Sequence, residues 1–316
     1  MEKEELKGYI IIIGAVFSWS FSEIIVKLLQ GAVGALSLSF FRFIIGGGFL
    51  LAILLLKKDL SGITQMFRQN FWLLIFSSCF AFGISNIIYF IGVTYTQANI
   101  AATIYTTYPI WITIYSIFIL DERTNLRLKF VGIAIGMVGV AILMTNFDLS
   151  GFLASEFLIG NLLVLLGSII WALYSVLGKK IQINEEKTPN IALKYSAVSS
   201  LLAGIPVFFI LIFSPEFNTF LAYDMEAYFW IFFLGIVSTG IGVYLLFEGI
   251  RYIEVSKAFS LAFLKPIFAT ILAFIILQEY PTIALLVSIC LVIVSILLIN
   301  RKAKIDDAET QANNNL

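Results

Sequence analysis

The sequence contains no histidine among its 316 residues, and this absence excludes several kinds of chemistry. Histidine is the commonest metal ligand and the usual partner of a catalytic serine. Its absence therefore excludes histidine-based zinc sites, Ser–His catalytic pairs and histidine proton relays. Charged residues are also scarce: they make up 13% of the chain, whereas a soluble domain has about a quarter. With so little charge, a soluble fold could not cover its surface with polar groups.

Other signs of chemistry are missing as well. The 20 basic and 20 acidic residues cancel, so there is no basic excess to bind nucleic acid. Cys79 and Cys290 are the only cysteines. Both lie in apolar runs, where we expect core residues and not a disulfide or a metal site. The sequence has no GxxxxGK[ST] and no HExxH motif, so we expect no bound nucleotide, metal or other cofactor.

Long hydrophobic runs dominate the chain, in which 60% of the residues are hydrophobic. Each run is long enough for a membrane-spanning helix, which satisfies its own backbone hydrogen bonds in lipid. The sequence therefore predicts an all-α membrane protein with ten transmembrane helices and a polar tail at 301–316. The runs are 8–28, 36–56, 71–94, 98–119, 128–146, 157–178, 192–213, 228–250, 256–277 and 281–300.

The placement of basic residues predicts the orientation. If the N-terminus is cytoplasmic and the helices alternate, the inner segments carry the basic residues, and the outer loops carry none beyond Lys27. This is the positive-inside pattern, and it places both termini in the cytoplasm. We expect a multi-pass protein of a prokaryotic plasma membrane, with the lipid bilayer as its surroundings. The first run lacks a small-residue cleavage site and is expected to be a retained helix.

The chain contains an internal repeat. Moving 71–122 by 157 residues places it on 228–279, with matches that include Tyr95/Tyr252, Pro109/Pro266 and Glu122/Glu279. A shift of 152 residues matches Trp19 to Trp171 and Arg42 to Lys194. The sequence therefore predicts two five-helix repeats, 8–146 and 157–300. Because five is odd, the repeats cross the membrane in opposite senses, which is typical of transporters with a binding site between the halves.

These features resemble a known family. Trp19 followed by Lys27, Arg42 in the second run, the blocks Pro109…Glu122 and Pro266…Glu279, and the ten-helix duplication are similar to the drug/metabolite transporter superfamily, EamA-like branch. The resemblance covers about residues 8–300. It implies a carrier of small metabolites, often amino acids moved outward, with a central cavity between the halves.

Lys265 is the strongest candidate for substrate binding. It lies about nine residues into its run, or about 13 Å from the inner end, and a lysine at such a depth costs about 2.5–3.5 kcal/mol. Pro266 leaves the carbonyl of Ala262 without its usual donor, and Pro109 does the same to Tyr105. Lys265 is expected to attract an anionic substrate group, such as a carboxylate. The alternative is a structural pairing of Lys265 with a carboxylate or with the freed carbonyls.

Further charged residues allow two interpretations each. Glu23 and Arg42 have matching depths and are expected to form a salt bridge, although Lys27, four residues after Glu23, is a rival partner for it. The alternative is that Glu23 lines the cavity and exchanges protons. Glu248 is expected to pair locally with Arg251, and the alternative is an inner gate. Lys194 and Lys27 stand at helix ends, where they are expected to extend to the interface.

Aromatic and small residues complete the candidates. Trp19, Trp171, Tyr105, Tyr108 and Tyr174, with the amide of Asn86, could form an amphipathic cavity wall, although each could equally be a core residue. Gly132, Gly136 and Gly139 allow close helix contact, within the chain or in a homodimer.

The function favoured by the sequence is a secondary transporter that moves a small metabolite across the membrane by alternating access. An amino acid or similar small carboxylate is the expected substrate, and export is the expected direction. Alternatives are an exporter of cationic or aromatic drugs that uses Glu23, an intramembrane enzyme, a channel or a scaffold. The predicted spans contain no aspartate, which argues against a paired-aspartate protease, and their sparse polar residues argue against a channel.

Overall fold

The computed structural model of the protein describes residues 3–29, 31–96, 101, 104–148, 155–278 and 283–301. Seven side chains within these ranges are not described: those of Glu23, Val26, Lys27, Thr94, Ser155, Ala273 and Leu277. The described residues form helices and turns without any strand, which confirms the all-α class. Glu279 and most of the polar tail, 302–316, lie outside the described residues.

The helices follow one another with short connections. Their bounds are α1 Lys3–Leu28, α2 Ala35–Leu56, α3 Ile63–Ile75, α4 Ser85–Thr94, α5 Tyr108–Ile119, α6 Leu126–Thr145, α7 Leu158–Asn184, α8 Ile191–Ile212, α9 Met225–Phe233, α10 Gly242–Gly249, α11 Val255–Ser260, α12 Leu264–Leu277 and α13 Ile283–Ile299. Among the described residues, seven continuous helical stretches are long and apolar enough to cross a membrane, and two apolar helices are shorter. The chain is therefore a multi-pass membrane protein.

The third membrane-spanning helix begins earlier in the structure than the sequence predicted. The helical stretch runs over Ile63–Val93 and starts eight residues before the predicted 71. Its first turns carry exposed polar side chains such as Gln65 and Arg68, so hydrophobicity alone does not reveal them. Asn70 has a non-helical backbone (φ −123°) and marks a kink between this polar entry and the apolar part.

Both prolines of the repeated blocks stand next to helix interruptions. A turn at 106–107 precedes α5, in which Pro109 is the second residue. A 3₁₀ turn, Leu261–Phe263, separates α11 from α12, in which Pro266 is the third residue. A proline removes one backbone donor and clashes with the preceding turn, so a helix breaks just before it. Helix weakening at these two positions was the expectation from the sequence.

Two π-helical segments occupy corresponding places in the two halves. The first, Phe76–Ile84, joins α3 to α4, and the second, Leu234–Ile241, joins α9 to α10. They nearly coincide under the 157-residue shift that relates the repeats. A π-helical turn widens the helix and is found most often at functional sites. Both segments contain fully buried residues, such as Ser78 and Leu234.

Corresponding helices of the two halves pack antiparallel. Glu216, beyond the end of α8, accepts a hydrogen bond from Ser37 at the start of α2 (2.9 Å). At the other end, Lys194 near the start of α8 donates to Asp59 beyond the end of α2 (2.7 Å). Between these points Gly47 lies close to the backbone of Leu201, where an added Cβ would be 2.9 Å from its nitrogen. The glycine permits this close approach because it has no side chain.

A second antiparallel pair uses the glycines of α6. An added Cβ on Gly132 would lie 2.9 Å from the carbonyl oxygen of Ser295, and one on Gly136 would lie 2.6 Å from Ser295 Oγ. The glycine face of α6 is therefore buried against α13 of the same chain. The close approach that Gly132 and Gly136 allow is thus used within the chain, and a homodimer through this helix stays a prediction.

Candidate functional site

A cavity of about 250 Å³ lies between the two halves of the chain. Eight of the ten sequence-predicted site residues line it: Lys265, Tyr108, Tyr105, Trp19, Trp171, Tyr174, Asn86 and Arg42. Its lining also includes Ser39, in the second turn of α2, and Met144, in the last turn of α6. The cavity thus extends from the middle of the bundle toward the end at which α2 begins and α6 ends.

A cluster of buried aromatic rings continues inward from Tyr174, which lines the cavity. Tyr174, Tyr195 and Phe247 are each at most 1% exposed. The ring centroids of Tyr195 and Phe247 are 4.6 Å apart, and those of Tyr174 and Phe247 are 5.2 Å apart. The hydroxyl groups of Tyr174 and Ser199 are hydrogen-bonded at 2.8 Å, which satisfies the polar tip of the ring. We call these three residues the aromatic floor.

The wall of the cavity is largely aromatic. Trp19 and Trp171, which the repeat pairs, meet edge to face with centroids 6.4 Å apart. Tyr108 packs against Trp171 at 4.9 Å, and Tyr105 lies 4.3 Å from Tyr89. Edge-to-face and offset contacts are the preferred arrangements of aromatic rings. The repeated tryptophans therefore contact each other across the interface between the halves.

Lys265 lies in the cavity wall, at the point where the 3₁₀ turn passes into α12. Its backbone carbonyl accepts a hydrogen bond from Ser20 Oγ (3.2 Å), and Ser20 is completely buried in α1. The next residue, Pro266, also lines the cavity and is buried. The helix interruption and the serine thus fix the backbone of Lys265, and the side chain is placed where a molecule in the cavity can reach it.

The corresponding break in the first half is satisfied by a neighbouring helix. Pro109 cannot donate to the carbonyl oxygen of Tyr105. That oxygen accepts a hydrogen bond from Ser168 Oγ at 3.0 Å, and Thr107 Oγ1 lies 3.1 Å from the same serine oxygen. Buried carbonyl groups require such partners. Ser168 therefore compensates for the proline and holds α5 against α7.

Arg42, seven residues after the start of α2, lines the cavity and contacts the second π-helical segment. Its Nε donates to Thr239 Oγ1 (3.3 Å). Next to Thr239, Ser238 Oγ lies 2.6 Å from Ser22 Oγ of α1. Asn86 donates from Nδ2 to the carbonyl of Phe82 on its own helix (2.7 Å). Polar groups from α1, α2 and the π segment thus converge on one part of the wall.

The two other predicted residues have different outcomes. The side chain of Glu23 lies outside the described residues, so its expected salt bridge with Arg42 stays a prediction. Glu248 is not part of the cavity lining. It forms an ion pair with Arg251 (3.0 Å) and accepts a hydrogen bond from the hydroxyl of Tyr252 (3.1 Å). The local pairing expected for Glu248 is therefore present.

Lys194 is the clearest correction among the charged residues. We expected its side chain to extend to the interface, but it is 0% exposed and forms an ion pair with Asp59 at 2.7 Å. Its hydrogen bond to Asp59, together with those from Asn190 and Ser61, lowers the pKa of that carboxyl group to about 2. The lysine avoids lipid by burial against a counter-ion, not by extension.

A second buried lysine links the two halves. Lys129 of α6 is 0% exposed and forms an ion pair with Glu254 (2.6 Å) just before α11. Burial raises the pKa of Glu254, but the hydrogen bonds from Lys129 and Thr124 outweigh it and hold the pKa below its usual value. Beside this pair, Glu122 accepts hydrogen bonds from the backbone nitrogens of Val255 (2.9 Å) and Ser256 (3.3 Å). These bonds tie the first half to the start of α11.

Sequence reasoning missed several lining residues, which the repeat could have identified. Asn86 corresponds to Val243 under the 157-residue shift, and Tyr89 corresponds to Leu246. All four line the cavity, as does the pair Phe82 and Thr239. The other missed residues are Ser22, Ser39, Phe43, Phe90, Thr106, Met144, Ser238 and Pro266. Phe82, Asn86 and Tyr89 are four and three residues apart, and so are their counterparts in the second half. This spacing places the three residues on one face of each helix.

The arrangement is suited to binding. It combines an aromatic wall, hydroxyl and amide groups, and the two cationic residues Arg42 and Lys265. Within the described ranges, no group of three or more His, Cys, Asp or Glu side chains is close enough together to hold a metal ion. Mostly apolar walls with a few convergent polar groups are typical of sites for small organic molecules.

Comparison with known proteins places the chain among transporters. The sequence profile of the EamA-like transporter family matches residues 6–145 and, separately, residues 158–301. A solved crystal structure of another protein superposes with a TM-score of 0.76 at 21% identity, covering 93% of this chain and 96% of its own. At that level of identity the match supports the fold alone.

Individual relatives agree with the family match. A Clostridium kluyveri protein described as an uncharacterized transporter is 27% identical over 97% of both chains. An uncharacterized transporter of Methanothermobacter thermautotrophicus is 27% identical over 87% of this chain and 80% of its own. The Escherichia coli K12 protein YedA, described as an uncharacterized inner membrane transporter, is 28% identical over 55% of this chain and 53% of its own.

Proposed function

Because the chain belongs to the EamA-like transporter family, we propose that it is a secondary transporter that moves a small carboxylate-bearing metabolite, such as an amino acid, across a prokaryotic plasma membrane. The observation that carries this proposal is the position of Lys265 in the wall of a cavity between the two halves. A lysine at that depth costs about 2.5–3.5 kcal/mol on insertion scales, and binding an anion gives it a role.

The proposed architecture is ten transmembrane helices in two inverted repeats, 8–146 and 157–300. The antiparallel packing of α2 with α8 and of α6 with α13 supports it, because each pair consists of corresponding helices of the two halves. An axis in the membrane plane relates such helices in inverted-repeat transporters. Alternating access then follows from rocking of one half against the other around the fixed site.

The proposed orientation has both termini in the cytoplasm. Basic residues such as Lys7, Lys179 and Arg251 gather at one end of the bundle, where Lys7 donates to the hydroxyl of Tyr252 (2.7 Å) and Lys179 donates to the carbonyl of Ile250. The positive-inside rule assigns that end to the cytoplasm. In this orientation the cavity extends toward the outer side and the aromatic floor separates it from the cytoplasm.

The size of the cavity favours a small metabolite over a drug. Pockets for drug-sized molecules measure about 300–1,000 Å³. The cavity of about 250 Å³ lies just below this range. A cationic aromatic drug is the second candidate, favoured by the aromatic wall, since rings such as Trp19 and Trp171 attract cations. If Glu23 binds such a drug, the site prefers cations over the anions expected from Lys265.

The test is transport by purified protein in liposomes. Counterflow of labelled amino acids, organic acids and cationic drugs is measured with and without a proton gradient. We expect saturable counterflow of a carboxylate, at least about tenfold weaker apparent affinity in Lys265→Gln, and partial retention in Lys265→Arg. Lys180→Gln, outside the cavity lining, is the matched control. Normal affinity in Lys265→Gln, or counterflow of cations alone, would overturn the proposal.

A further inference from the structure

The first turns of α3 expose polar side chains at the end of a membrane-spanning stretch. The helical stretch Ile63–Val93 is long and apolar enough to cross a membrane. A surface hollow of about 690 Å³ runs along its first turns and is lined by Gly62, Thr64, Gln65, Arg68 and Gln69. Except for the glycine, these residues are exposed. A polar segment at the end of a spanning helix lies at the depth of the lipid headgroups.

The exposed surface becomes aromatic directly after the kink at Asn70. Phe71 is 46% exposed and Trp72 is 80% exposed, and both lie inside the spanning stretch. Met66 and Leu74 are completely buried, so the other face of the same segment packs against the protein. Exposed rings in a spanning helix contact lipid, and tryptophan is enriched where acyl chains meet headgroups. The hollow therefore lies beside this boundary.

Two turns from opposite halves of the chain add basic side chains next to the hollow. Lys57 and Lys58 follow α2, five and four residues before Gly62. Lys187 belongs to the turn between α7 and α8, and an added Cβ on Gly62 would lie 2.6 Å from Cγ2 of the next residue, Thr188. All three lysines are exposed. We call these lysines and the arginine of the hollow the basic rim: Lys57, Lys58, Arg68 and Lys187.

The acidic residues nearby leave the basic rim largely uncompensated. Asp59 is bound to Lys194 at 2.7 Å. Glu185 is 2% exposed and accepts hydrogen bonds from two side-chain amides of α3. Glu186 is exposed next to Lys187 and reduces the net charge by one. Within the part of the chain that the structure describes, no residue of the basic rim takes part in a salt bridge.

From this arrangement we infer that the basic rim binds the phosphate group of an acidic phospholipid of the surrounding membrane, whose acyl chains lie along Phe71 and Trp72. Arg68 stands in the hollow itself, and a guanidinium group binds phosphate oxygens through two parallel hydrogen bonds. Thr64 and Gln69 supply a hydroxyl and an amide beside it. The apolar contact selects a lipid over a dissolved phosphate, and the net positive charge selects an anionic lipid over a zwitterionic one.

The experiment identifies the lipid next to Trp72 in the full chain, reconstituted into vesicles. Brominated acyl chains quench tryptophan fluorescence on contact, so the quenching that Trp72→Phe abolishes reports this site. Phosphatidylcholine vesicles carry a minor share of either brominated phosphatidylglycerol or brominated phosphatidylcholine. We expect phosphatidylglycerol to be preferred at least about tenfold. One basic residue near an anionic lipid contributes about fivefold, so Arg68→Gln should lower the preference about fivefold and Arg68→Lys less.

The matched control is Arg127→Gln, which removes another exposed arginine from the first turn of a helix, here α6, outside the lining of the hollow. It should leave the preference unchanged, and dissolved glycerol phosphate should not displace the lipid. A wild-type preference near one would overturn the inference. An equal loss in Arg127→Gln and Arg68→Gln would overturn it in favour of a general effect of surface charge. Displacement by glycerol phosphate would overturn it in favour of a site for dissolved phosphate. None of these results bears on transport or on the role of Lys265.

Discussion

Removal of Glu254 should destabilise the protein much more than removal of its partner Lys129. The Lys129 side chain is 0% exposed and its ammonium group lies 2.6 Å from Glu254, whose side chain is 22% exposed. Glu254→Ala leaves a buried ammonium group without this carboxylate. Breaking a buried pair in this way costs about 3–5 kcal/mol, and the partial exposure of Glu254 favours the lower end, about 3 kcal/mol. Lys129→Met, an apolar residue of similar length, should cost less than about 1 kcal/mol.

The measurement is the free energy of unfolding in detergent micelles, followed by tryptophan fluorescence in a denaturant series. The double variant should be more stable than Glu254→Ala alone, because the unpaired ammonium group is gone. Lowering the pH should imitate Glu254→Ala, since the pKa of Glu254 is lower in the folded protein. The stabilisation is present above the ordinary carboxyl pKa and is lost as the pH falls through the folded value. If Lys129→Met costs as much as Glu254→Ala, the reasoning is refuted.

Three further predictions follow from the packing and the polar contacts. The Asp59 carboxylate has a pKa of about 2 because of its hydrogen bonds, chiefly that from Lys194. It should therefore stabilise the protein above the ordinary carboxyl pKa and lose this effect as the pH falls toward 2. Asp59→Asn should flatten that part of the pH–stability curve. Gly46→Val should prevent normal folding, visible as aggregation in size-exclusion chromatography, because an added Cβ would be 2.7 Å from a backbone oxygen of the second π segment; Gly48→Ala, with open space, is the control. Ser168→Ala should remove the donor to the Tyr105 carbonyl and lower stability by about 1–3 kcal/mol in the same denaturant series, whereas Ser168→Thr should lower it less.

The helical class and the two halves could be predicted because they depend on composition and repetition. Hydrophobic runs of spanning length report the helices directly, and the shift from Pro109 to Pro266 reports the duplication. The polar entry to the third helix could not be predicted in the same way. Residues 63–70 are amphipathic, and nothing in their hydrophobicity separates them from a loop. The π segments were also missed, since an extra residue per turn depends on packing against the opposite half.

Residues of the cavity lining were predictable where depth and repetition agreed. Lys265 and the tryptophan pair Trp19 and Trp171 were selected by their depth and by the repeat, and all three line the cavity. The prediction for Lys194 failed because its counter-ion, Asp59, is 135 residues away in the sequence. A position at a helix end allows both extension to water and burial against an acid. Only the contact between the halves decides between them.

Two acidic residues at the end that the proposed orientation assigns to the cytoplasm connect stability to transport in the proposed mechanism. Glu122 and Glu254 each bond across the two halves, to the start of α11 and to Lys129 respectively. In the proposed rocking mechanism, we expect these bonds to break when the cavity opens toward the cytoplasm. Their strength therefore contributes to the free energy difference between the two orientations, and a ligand shifts that equilibrium only by its differential affinity. A variant that removes one of these bonds, such as Glu254→Ala, should favour the inward-open state even without substrate. The same variant, which lowers stability, should also raise the accessibility of Tyr195 and Phe247 from the cytoplasm.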